Sequence, residues 1–145
     1  MAKQHSKRAP IIQALLIDPF KQCIQPLNVS SRDFDERWCW LLSCEHFERV
    51  VGEINQSWHA VWVDEAGLLR DPVPFPQFTL EGFNGGSPLT GYGLLTGLDS
   101  MLQEITPPRI NGHTLMAHVK FENWGNRLKP DDYLDQLLRL YLAWP

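Results

Sequence analysis

Residues 11–17 (IIQALLI) form an almost unbroken apolar run closed by Asp18-Pro19, the pattern of a buried strand with little polar surface for solvent. A second short strand is expected over 23–29, where Pro26 removes a backbone donor and so suits an outer position in a sheet. The period then changes. Ser30 or Ser31 offers an N-cap, and Asp33, Asp35 and Glu36 fall in a first turn whose dipole favours acids. Phe34, Trp38, Leu41 and Leu42 recur at i, i+4, i+7 and i+8, which predicts a helix ending near Glu45. Further strands are expected over 47–54, 58–64 and 92–98, with Asn55-Gln56-Ser57 as the turn between the first two.

Segment 71–93 reads as a long loop with four prolines and five glycines. Phe75, Phe78, Leu80 and Phe83 give it apolar contacts to make, so it is expected to fold over the core. Residues 112–121 satisfy two periods: Leu115, Met116 and Val119 suit a helix, whereas Leu115, Ala117, Val119 and Phe121 suit a strand. The last fifteen residues predict an amphipathic helix, with Asp131 and Asp132 at its start and Pro130 blocking earlier extension. Together these elements predict an α+β fold: a small, mainly antiparallel sheet with one or two packed helices, plus the C-terminal amphipathic helix. Residues 1–9 read as a flexible basic tail, 10–125 as the domain, and 126–145 as a helix appended to it.

The net charge of −4 is unevenly placed. Three of the 13 bases (Lys3, Lys7, Arg8) lie in the tail, which leaves 10 bases against 17 acids elsewhere. An acidic body argues against a surface that tracks phosphates, and hence against nucleic acid as a partner. No run approaches the roughly 18 apolar residues of a membrane span. Three cysteines (Cys23, Cys39, Cys44) at unpatterned spacing give no disulfide framework, so a reducing, cytoplasmic setting is expected.

Chemistry finds little purchase. His113 and His118 are five apart, about 140° around a helix and on opposite faces of a strand, so they cannot share a metal ion. Cys44 and His46 are the nearest thiol–imidazole neighbours, but a helix C-terminus disfavours a thiolate. No catalytic residues, metal or cofactor are therefore expected. The run from Gly85 to Gly93 lacks the spacing of a phosphate-binding loop. A ligand pocket built on Phe83, Gly85, Gly86 and Tyr92 remains an alternative, in which the chain binds a small ligand or nucleotide and could act as an enzyme. Among six tryptophans, Trp58 and Trp62 share one strand face and offer a binding surface, unless they are simply core.

The order of three segments, Leu15-Leu16-Ile17-Asp18-Pro19, then 61–69 (VWVDEAGLL), then 88–97 (PLTGYGLLTG), resembles an uncharacterised small domain family of phages, plasmids and other mobile elements of bacteria. The family pattern is a "LIDP" strand, a "VDDEGLL" hairpin and a "PLAGKGLVLG" strand followed by a short helix, and the resemblance spans roughly residues 12–122. It favours helix over 112–121. Glu65-Ala66 stands where Asp-Glu is usual, and the helix after Trp124 is additional. What the resemblance implies is context: a mobile-element protein that binds host or competitor machinery, such as a counter-defence inhibitor acting by steric occupation. It brings no catalytic residues.

The C-terminal helix yields a test. At about 100° per residue its apolar positions cover an arc of roughly 200°, wider than the roughly 100° needed to lie on one core. The surplus is expected to meet a second copy of the chain, or another protein, through Leu137, Tyr141 and Trp144. Truncation after Gly125 should then convert a dimer to a folded monomer or abolish binding to another protein; a full-length chain that is monomeric by light scattering and loses no binding on truncation would mean its own domain clamps the helix.

Overall fold

The computed structural model describes residues 10–31, 36–42, 44, 46–65 and 76–122. The residues read as a basic tail and those expected to form a C-terminal helix, Leu137, Tyr141 and Trp144 among them, lie outside the described residues. β1 (Ile11–Asp18) and β2 (Cys23–Ser30) form an antiparallel hairpin in continuous register, from Ile11 opposite Ser30 to Asp18 opposite Cys23. Asp18 builds its turn: one carboxylate oxygen accepts from the N–H groups of Phe20 and Lys21 at 2.9 and 3.1 Å, replacing strand partners that the turn removes. Helix α1 (Glu36–Leu42) precedes β3 (Phe47–Ile54) and β4 (Ser57–Asp64). These two strands close through Asn55 and Gln56 at φ of 50° and 65°, the positive pair that matches a two-residue turn to strand twist.

The remaining elements are β5 (Gln77–Leu80), a 3-10 turn (Asn84–Gly86), β6 (Leu89–Thr90), β7 (Gly93–Leu98), β8 (Ile105–Thr106), α2 (Gly112–Met116) and β9 (Val119–Phe121). They assemble two sheets, not the single one expected. The larger has the order β2-β1-β7-β4-β3 with β8 beside β7, and the smaller has the order β6-β5-β9; every pairing is antiparallel. The described part of 71–93 is thus not a loop but supplies two strands. β5 pairs on one side with the two-residue β6, Phe78 opposite Leu89, and on the other with the distant β9, Phe78 opposite Phe121. Segment 112–121 divides between helix and strand. Asn111 caps α2, its side-chain oxygen accepting from the Thr114 N–H at 2.7 Å, and the chain then extends to pair with β5.

The larger sheet is covered on both faces. Leu15, Ile17, Val61, Val63 and Leu95 pack with Phe78, Leu80, Phe83, Leu89 and Leu115 from the second layer. On the opposite face Ala14, Ala60, Trp62, Leu94 and Leu98 pack with Trp38 and Leu42 of α1. Trp38 and Trp62 meet edge to face at 5.2 Å, and the Trp38 indole N–H donates to the Ser30 carbonyl at 3.2 Å.

Two glycines of β7 permit this close layering. A Cβ on Gly93 would stand 2.6 Å from the Phe78 ring, and one on Gly97 would collide with the Pro107 carbonyl oxygen and the Thr106 hydroxyl. The second obstacle is backbone and cannot rotate away. Gly97→Ala is therefore expected to cost about 1–3 kcal/mol, the usual penalty for overpacking. A urea midpoint unchanged from the parent chain would show that the 106–107 strap is not held against the strand.

Candidate binding groove

Where the second layer ends, the sheet is left with an open groove of about 620 Å³. Its floor is Gln13 and Leu15 of β1 with Pro26 of β2, and Leu15 stands directly opposite Pro26. Asn55 of the β3–β4 turn reaches in from one end, and the segment from Pro107 to Gly112 with Thr114 forms the wall. Alternation along β1 explains the floor: Gln13 and Leu15 share a face, and the second layer packs on that same face farther along, at Ile17.

The wall is tied to the sheet at Arg109. Its guanidinium Nη1 donates to the Leu98 carbonyl at 2.8 Å, and its backbone N–H donates to His59 Nε2 at 3.2 Å. His59 is wholly buried in β4, and its Nδ1 lies 2.9 Å from the Ser57 carbonyl. Nε2 accepts, so the proton sits on Nδ1 and donates to Ser57; the ring is neutral. Burial holds its pKa below the ordinary imidazole value; the Ser57 carbonyl opposes this shift, and the Arg109 guanidinium adds to it. Beyond Leu98, an Asp99 carboxylate oxygen accepts from the N–H groups of Gln103 and Glu104 at 2.8 and 3.2 Å, which holds its pKa below the usual range and orders the turn into β8.

The residues singled out in the sequence are dispersed. Trp58 is 39% exposed, whereas Trp62 is 8% exposed, with its indole N–H donating to Thr96 Oγ1 at 3.0 Å. The two share a strand face, but only Trp58 presents surface. Phe83 is buried between the two sheets, while Gly85 and Gly86 are exposed. Tyr92 packs on the opposite face of the larger sheet, its ring 4.9 Å from that of Phe20. The sheet therefore stands between Phe83 and Tyr92, and the glycine-rich loop does not assemble one pocket from them. His118 sits 3.0 Å from a Glu81 carboxylate oxygen, and no group of three metal-ligating side chains occurs among the described residues. No described helix is long and apolar enough to cross a membrane.

Sequence reasoning missed the groove wall and His59. The available signal was a single imidazole inside the otherwise apolar stretch 58–63, a position that demands partners for both ring nitrogens. No protein-family model, curated protein or solved structure matches the chain.

Tyr92 supplies a check on the opposite face. Burial first, then the charges of Asp18 and Cys23, push its phenol up to about 12 from 10.0. The folded pKa lies above the unfolded one, so the resulting stability is complete below pH 10 and is lost as pH rises towards 12. In a phenolate absorbance titration, Tyr92→Phe should remove the last-titrating component and flatten this alkaline loss. A Tyr92 that ionises near pH 10 would show that the Phe20 contact leaves the phenol in water.

Proposed function

We propose that this chain is a non-enzymatic protein-binding protein that holds an extended segment of its partner in the groove beside Arg109. The observation that carries the reading is the groove's lining. Gln13 and Asn55 are amides that can both donate and accept, and Asn111, whose oxygen caps α2, has its amide N–H groups to donate, which matches the alternating groups of a peptide backbone. Leu15, Ile110 and three prolines offer apolar contact between them, and the prolines make the rim stiff, so little freedom is lost on binding. A volume of about 620 Å³ falls in the range that accepts a small ligand or a few residues of chain.

The mobile-element context implied by the resemblance supports a partner from host or competitor machinery, blocked by occupation in the bacterial cytoplasm. The acidic body supports protein over nucleic acid. Burial of Phe83 disfavours the rival small-ligand site on the glycine-rich loop.

Selection from a random-peptide library against the full chain tests this. Gln13→Trp fills the floor at an exposed position, and Ser87→Trp places the same bulk on the exposed turn after the 3-10 segment. Recovered peptides should lose about tenfold or more in affinity for the first variant, equivalent to about 1.4 kcal/mol, and keep their affinity for the second. Equal loss in both, or in neither, would overturn the groove as the contact site.

A further inference from the structure

Resting on that reading of the groove, we infer that the site is loosened by acid: a proton on His59 breaks the backbone tie between the imidazole and the Arg109 segment of the wall. His59 lies opposite Gly52 on β3 and Gly97 on β7, and the chain at Thr106 and Pro107 occupies the space that a Gly97 side chain would need. The strap thus rests directly on the strand beside the imidazole.

Each ring nitrogen is committed once, Nδ1–H to the Ser57 carbonyl and Nε2 to the Arg109 N–H. A second proton must go to Nε2, where it would face another N–H. Donor would then oppose donor, leaving a buried polar group unpaired at a cost comparable to a lost hydrogen bond. The β7–β8 ladder before Pro107 and the Arg109 guanidinium on the Leu98 carbonyl also hold the wall. Pro107 and Pro108 carry no N–H, however, so the Arg109 N–H is the first backbone donor after Thr106, and His59 receives it.

The surroundings do not favour the charged ring. Gly52 and Gly97 face it from the flanking strands, and Gly82 and Phe83, packed over Gly52, are uncharged. The charge facing it from the wall is the Arg109 guanidinium, which opposes protonation. The unfolded chain binds this proton more readily than the folded one. The neutral ring's contribution is therefore complete above the ordinary imidazole pKa of about 6.5 and is lost as pH falls below it.

Nuclear magnetic resonance on the full chain between about pH 8 and 5 tests the inference, because ring ¹⁵N shifts report the His59 tautomer and amide exchange reports the tie. Amide exchange rates are to be corrected for their intrinsic pH dependence. His59 should be the neutral Nδ1–H form at the upper end. As it titrates, the corrected protection of the Arg109 amide should fall about tenfold or more while that of β7 amides stays constant. In His59→Gln, whose side-chain carbonyl accepts without titrating, Arg109 protection should not depend on pH. Peptides selected as above should bind the parent chain more weakly at the acid end and the variant equally at both. Three results would each overturn the switch: a ring still neutral at pH 5, a charged ring with the Arg109 amide still protected, or the same loss in a folded His59→Gln. If that variant fails to fold, the parent titration decides alone. The exchange measurement involves no ligand, so its failure counts against the switch, whereas failure of the Gln13→Trp peptide-affinity comparison counts against the groove.

Discussion

Beyond its first two residues β4, like β7, has no face to give to water. From His59 to Asp64 and from Gly93 to Leu98 every residue is buried, so each face of the larger sheet requires a cover. The second sheet covers one face and α1, through Trp38 and Leu42, covers the other. That demand also dictates the few polar groups allowed inside. Thr96 is tolerated because its hydroxyl receives the Trp62 indole N–H, and His59 because Ser57 and Arg109 occupy its two nitrogens. Among the described residues no buried side-chain nitrogen or oxygen is left without a partner. The groove follows from the same arrangement: the covering layer closes over Leu15 and stops short of Gln13, which its last stretch, anchored at Arg109, leaves exposed on the floor.

Where a strand is long and its partner adjacent in the chain, the run of apolar residues between turn signals located it closely. The β3–β4 hairpin and β1 are of this kind, and Pro26 correctly marked β2 as an outer strand among the described residues. The second sheet was not legible, because its strands are two to four residues long and its third strand, β9, comes from far along the chain. Strand parity also limits what a short motif can promise. Phe83 and Tyr92 flank one glycine-rich run, yet the fold sends them to opposite faces of the same sheet. Trp58 and Trp62 do share a face, but α1 covers only the second. The groove wall had no periodicity to reveal it, since residues 107–111 belong to no regular element and gain their place through single hydrogen bonds.

Pro26 has a wider consequence. A sheet whose outer strand shows regularly spaced donors can be extended by any other chain that meets it, and crowded, newly made copies of a protein are the likeliest to do so. The Ser31 N–H donates inward to the Pro10 carbonyl, so by alternation the missing N–H of Pro26 falls on the outward side of β2 and interrupts the ladder that a newcomer would need. On the other flank, β3 presents Arg49 and Glu53 at exposed positions, and an intruding strand would have to accommodate both charges. The protein therefore carries its own protection against fibrillar growth, and it can keep the groove open beside β2 without inviting endless strand-to-strand assembly.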